Sequence, residues 1–177
     1  MHSKSTGRRT LGLVLLTTLL WAGCGRKEEF VSKEGGFAVA VSGVPAQKKQ
    51  TVTNPEGPVD IYTLTFALTH PPAEYWIIYI DYPALTVQKK GGDQILKEAR
   101  DGSVNTVGGT LLSEHGIFLR EYPGLEIRYE GASGDENAYK SRLYLVKNRL
   151  YVMLVTTPKG QPFSAQAEDF LNSFRLL

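Results

Sequence analysis

Hydrophobic and polar positions divide the chain into two regimes. Residues 1–10 are polar and basic, and Leu11 to Ala22 is a leucine-rich apolar run of about a dozen residues, whereas a membrane-spanning helix needs roughly 20. From Phe37 onward the period is close to two. Phe37–Val41 predicts a first strand, stopped by Gly43 and Pro45. A second near Lys49–Thr53 breaks at Asn54-Pro55-Glu56-Gly57-Pro58, a dense turn signal. Val59–Thr69 predicts a third, with Tyr62, Leu64, Phe66 and Leu68 on one face and Thr63, Thr65 and Ala67 on the other, ended by Pro71-Pro72.

Glu74–Tyr82 is apolar on both faces: Tyr75, Ile77 and Tyr79 point one way, Trp76, Ile78, Ile80 and Tyr82 the other. Such a strand belongs inside a sheet covered on both sides. Tyr139–Lys147 and Leu150–Thr157 repeat the signature, and Asn148 between them suits a tight hairpin because asparagine tolerates positive φ. Thr110–Ser113 and Ile117–Tyr122 read as two strands around a turn at His115-Gly116. Pro123-Gly124 then turns the chain into Leu125–Glu130, where Leu125, Ile127 and Tyr129 alternate with Glu126, Arg128 and Glu130 as a half-solvated strand.

Helical spacing occurs twice. Asp93 is an N-cap type ahead of Ile95, Leu96, Ala99 and Ser103, although Gly102 weakens that helix. Ser164 caps a second helix in which Phe163, Ala167, Phe170, Leu171 and Phe174 recur. Strands, a helix, more strands and a terminal helix predict an α+β fold: a central antiparallel β-sheet flanked by helices, an α/β/α sandwich.

The order of the first two dozen residues is that of an export signal. Lys4, Arg8 and Arg9 form the basic region, the leucine run follows, and Leu20-Trp21-Ala22-Gly23-Cys24 ends it with small residues before a cysteine. This resembles the lipobox of bacterial lipoproteins, in which a leucine three places before the cysteine precedes two small residues; here Trp21 takes that place and Leu20 sits one further back. The resemblance implies cleavage before Cys24 and acylation of its sulfur by diacylglycerol and fatty acids such as palmitate. Arg8-Arg9-Thr10-Leu11 also resembles a twin-arginine motif, while the leucine-dense run favours the general secretory route. Gly25, where enterobacterial sorting rules would place an aspartate for inner-membrane retention, implies the periplasmic face of the outer membrane in a Gram-negative cell, and otherwise the cell-membrane surface. The organisation expected is a signal peptide over 1–23, a lipidated cysteine and polar tether over 24–36, and a single α+β domain over 37–177.

Composition supports that division. Cys24 is the only cysteine of the 177 residues, so no disulfide can form within the chain. Three of the 20 basic side chains lie in the segment to be removed, which leaves the remainder close to balance against 18 acidic ones. No concentrated basic face is visible, which argues against a nucleic-acid partner. The remaining length, about 150 residues, can bury roughly two-thirds of its unfolded surface without a metal or staple.

Gly36-Phe37-Ala38-Val39 followed by Pro45, together with the closing strand Tyr151–Pro158 and Ser173-Phe174-Arg175-Leu176, is similar to the opening and end of PsbP/Mog1-like domains over about residues 35–177. The resemblance implies the sheet-and-helix fold. Plant members assist the oxygen-evolving complex, so it also implies, as one alternative, an accessory or assembly subunit of a membrane complex.

Motifs for chemistry are sparse. After Cys24 only His70 and His115 remain, neither with a second ligand at metal spacing, so no metal site is expected. Gly131-Ala132-Ser133-Gly134 misses G-x-S-x-G by one position and reads as a loop. Gly91-Gly92 before Asp93 lacks a phosphate-loop continuation and reads as a turn and cap. Glu126, Arg128, Glu130, Lys140 and Arg142 read as cross-strand ion pairs on a solvated face rather than as catalytic carboxylates. Tyr75, Trp76, Tyr79 and Tyr82 are the candidate binding residues, set against their use as core. The expectation is a tethered, non-catalytic domain that binds a small ligand or another envelope protein, with no cofactor. The alternatives are the accessory subunit and an envelope enzyme with a loop-borne site.

Overall fold

In the computed structural model, which describes residues 28–54, 56–69 and 72–177, the elements follow one another as β1 (Glu29–Ser32), β2 (Phe37–Ala40), β3 (Ala46–Asn54), β4 (Gly57–Thr69), β5 (Pro72–Asp81), α1 (Ala84–Lys90), α2 (Gly92–Thr106), β6 (Thr110–Leu119), β7 (Tyr122–Glu130), β8 (Asn137–Val146), β9 (Arg149–Pro158), α3 (Ala165–Ser173) and β10 (Arg175–Leu176). Seven strands make one antiparallel sheet in the order β3-β4-β5-β9-β8-β7-β6, and β1-β2-β10 make a small second one. The fold is α+β: a large antiparallel sheet with three helices.

Strict alternation on the inner strands produces two cores. Tyr151, Met153 and Val155 of β9 join Tyr75, Ile77 and Tyr79 of β5, and onto them pack Phe37 and Val39 of β2 and Ala167, Phe170 and Leu171 of α3. The intervening residues, Leu150 and Val152 with Leu143 and Ile127, pack with Ile95, Leu96 and Val104 of α2. Register fixes this division, because Tyr79 pairs with Tyr151 and Ile78 with Val152. A slip of one residue would exchange the two faces.

Several expectations are corrected. His115-Gly116 is no turn: β6 runs through it, and the chain reverses at Arg120-Glu121 between the paired Leu119 and Tyr122. An edge strand with one partner tolerates the missing side chain at Gly116. Pro123-Gly124 lies inside β7. Pairing with β8 begins only at Gly124, so the absent N–H of Pro123 removes no bond on that side. Gly124 is required by close approach, since a Cβ there would collide with the Leu143 carbonyl and the Tyr144 ring. The second strand is longer than read, and the terminal helix ends at Ser173, after which Arg175 and Leu176 pair with β2.

Asp93 is not the cap of α2. Gly91 occupies that position without a side-chain bond, and Asp93 sits in the first turn, where its charge opposes the helix dipole favourably. Helix α1, which follows Pro83, was hidden by its short length and β-branched Thr86 and Val87. Residues 29–32, expected within the tether, form β1 on β2, because Phe30 packs into the first core with its ring 5.1 Å from Phe66. The positive φ of the β8–β9 turn belongs to Lys147 (56°), whereas Asn148 donates its side-chain amide to the Tyr82 carbonyl at 3.0 Å.

Candidate functional site

The four candidate aromatics, three on β5 and Tyr82 just after it, do not converge. Tyr75 and Tyr79 are fully packed in the α3 core, Tyr79 stacked 4.5 Å from Tyr62 and under the Arg149 guanidinium at 4.9 Å. Trp76 and Tyr82 lie on the opposite face, where Tyr82 lines a groove and Trp76 sits beside it, paired in register with the lining residue Leu154. Cys24, the signal segment 1–23 and His70 lie outside the described residues. His115 is an exposed residue of β6.

The groove runs between α2 and the sheet and holds about 470 Å³, within the usual range for small-molecule sites. Its floor is Ile78 and Ile80 of β5 with Leu150, Val152 and Leu154 of β9. Ala99, Gly102, Ser103, Thr106 and Val107 form the helical wall, and Ile61 and Tyr82 one rim. Two turns of α2 present small residues here. Ala99, Gly102 and Ser103 therefore leave space that larger side chains at helical spacing would fill, and a Cβ on Gly102 would meet nothing within 4 Å.

Polar groups enter at one end. Tyr129 of β7 and Ser141 of β8 are buried, their hydroxyl oxygens 3.4 Å apart. Tyr139 stacks on Tyr129 at 5.0 Å and donates its phenol to Asp135 at 2.7 Å. Burial pushes the Tyr129 phenol up, and burial together with the Asp135 carboxylate pushes Tyr139 up to about 12, so both stay protonated at neutral pH. Glu98, at the rim, is held below the ordinary glutamate range by hydrogen bonds from Lys90 (2.7 Å) and Gln94. Ser103 donates back to the Ala99 carbonyl at 2.8 Å.

Two other polar clusters are structural. The cross-strand pairs of β7 and β8 form and Arg128 is exposed, but Glu126, Lys140 and Arg142 are not on a solvated face: α3 covers them. Lys140, 4% exposed, reaches Glu126 at 3.2 Å and both Glu168 oxygens at 2.9–3.0 Å, and Arg142 bonds Glu126 at 2.8 Å and the Leu171 carbonyl at 3.0 Å. At the other end of the sheet Arg149 bonds both oxygens of Asp81 and the carbonyls of Glu34 and Gly35, while Tyr151 donates to Gly35 at 2.6 Å. Gly91-Gly92 caps and links helices, and Gly131–Gly134 is a loop. Among the described residues no three His, Cys, Asp or Glu side chains converge as metal ligands.

Sequence reasoning missed Ser141 and the two tyrosines beside it. Ser141 shares the face of Leu143 and Leu145, but a serine between Lys140 and Arg142 gives no apolar signal, and its neighbours in the groove show only once β8 is placed between β7 and β9.

No protein-family model and no curated protein matches the chain. Among solved structures it is similar to the solution structure of cyanobacterial PsbP (CyanoP) from Synechocystis sp. PCC 6803, at TM-score 0.60 and 10% identity, over 88% of this chain and 96% of that one. That identity bears on fold and not on activity. The chain has a PsbP-like fold.

Proposed function

We propose that the protein is a lipid-anchored, non-catalytic binding domain of the bacterial cell envelope, and that it holds an apolar small molecule between α2 and the sheet. The observation that carries the binding reading is the groove: a volume suited to a ligand, apolar walls, and a few hydroxyls gathered at one end. In this reading the domain is an α/β/α sandwich, α1 and α2 over one face and α3 over the other, and the groove is the incompletely filled layer beneath α2. The anchor reading is supported by the basic–apolar–small–cysteine order ending at Cys24. One acyl chain holds a protein weakly and two or three hold it durably.

Binding is tested with the full chain kept in amphipathic polymer, using Nile red as an apolar fluorescent probe. Wild type is expected to bind it, and Gly102→Leu, which fills the groove from a position with open space, is expected to abolish binding while leaving the fold intact. Equal binding by the variant would defeat the reading. For the anchor, Cys24→Ser is expected to move the protein out of the membrane fraction or block its processing, and unchanged retention would count against acylation.

An accessory role in a membrane complex is favoured by one observation, the edge strand β6, which exposes Leu112 (58%) and Phe118 (73%).

A further inference from the structure

We infer that the groove's ligand is an apolar molecule with a single uncharged oxygen head, a hydroxyl or carbonyl, seated on the Tyr129–Ser141 hydroxyl pair; this rests on the groove being a binding site. Ser141 is fully buried and Tyr129 is 2% exposed, yet their oxygens stand 3.4 Å apart, well beyond the usual 2.7–2.8 Å of an O–H···O bond. Each hydroxyl has one donor and two lone pairs. A bond between them uses one O–H and leaves the other, together with spare lone pairs, at the wall of the groove. Neither group has another hydrogen-bond partner among the described residues. A buried O–H without an acceptor is costly, and a ligand oxygen at this end removes that cost.

Charge excludes the ionic alternatives. Glu98 is the single charged residue among those lining the groove, and it stands at the rim already paired with Lys90 at 2.7 Å. A carboxylate or phosphate head would be desolvated with no cation to meet it. The Asp135 carboxylate behind Tyr139 would repel it as well. An ammonium head would have to displace Lys90 from Glu98. A neutral oxygen meets a donor and pays neither penalty, while Tyr139, stacked on Tyr129, offers an aromatic wall for the adjoining apolar part.

The test uses the full chain in amphipathic polymer with Nile red in the groove, counting only the signal that Gly102→Leu removes. Competition with 1-decanol, decanoate and decylamine is measured at pH 8. Decanol is expected to displace the probe at a concentration about tenfold below either ion. Ser141→Ala, and independently Tyr129→Phe, which keeps the stacked ring, are each expected to reduce that preference to about threefold or less. Decanoate or decylamine competing as well as decanol, or both variants keeping the full preference, would overturn the inference and leave the groove standing as a site. If wild type and Gly102→Leu show the same probe signal, the groove reading itself falls and takes this inference with it.

Discussion

Lys147 and Arg120 hold φ at 56°, each in the two-residue turn of a hairpin. A Cβ in the left-handed region crowds the following carbonyl at about 1–2 kcal/mol per residue. Glycine would relieve that strain, and the added freedom of the unfolded chain offsets part of the gain. Lys147→Gly is therefore expected to raise stability by roughly 1 kcal/mol, seen as a higher urea midpoint with unchanged slope. A lower midpoint would mean that the Lys147 side chain contributes to the fold. At this scale the sequence misleads in an instructive way. Asn148 is the residue that tolerates positive φ, yet its amide is committed to the Tyr82 carbonyl and the strain passes to its neighbour. Gly124, adjacent to a proline, has the look of a turn, but its lack of a side chain serves the packing of Tyr144.

Among elements, the long strands could be read from period two: β4 by Tyr62, Leu64, Phe66 and Leu68 alternating with Thr63 and Thr65, and β5, β8 and β9 by apolar residues on both faces. Of the short elements β2 could also be read, as Phe37–Val41, but β1, β10 and α1 could not. Strands β1 and β10 and helix α1 have two to seven residues and owe their form to what they pair with. Helix α3 combines both kinds of information, with its apolar face set by spacing and its start by Ser164, whose hydroxyl accepts from the Ala167 N–H at 3.1 Å. Ser164→Ala is expected to cost about 1 kcal/mol in thermal or urea unfolding, and Ser164→Asp to retain most of that stability. Equal stability of the alanine variant would show that the Ser164 cap adds nothing to what the packing and ion pairs of α3 already supply.

For the whole molecule, the connection between α3 and the sheet is partly electrostatic. Burial pushes the Glu126 carboxyl up, but the hydrogen bond from Arg142 and the charge and hydrogen bond of Lys140 outweigh it, and its pKa falls below the ordinary value. A carboxyl depressed in the folded state stabilises at neutral pH, and that contribution is lost as pH falls through and below the ordinary glutamate range near 4.5. Melting temperature should fall more steeply between pH 5 and 3 in wild type than in Glu126→Gln, which should already be destabilised at pH 7; parallel curves would remove Glu126 from the account. The cross-strand part of this network, Glu126 with Lys140 and Arg142, was legible in the alternation of β7 and β8, whereas Glu168 joins it only when α3 folds back across β8. The two-faced core was visible. The groove was not, because it is made by the small residues of α2 standing where larger ones would close it.

The pairing of β1 with β2 extends the folded part of the chain back to Glu29. If acyl chains hold Cys24, just four residues, 25–28, join it to Glu29, a leash whose five steps reach at most about 18 Å when fully drawn out. Phe30 binds that leash to the α3 side, and the groove opens from the sheet's other face. On the proposed anchor and groove, a cargo would then enter from the side of the sheet away from the tethered end.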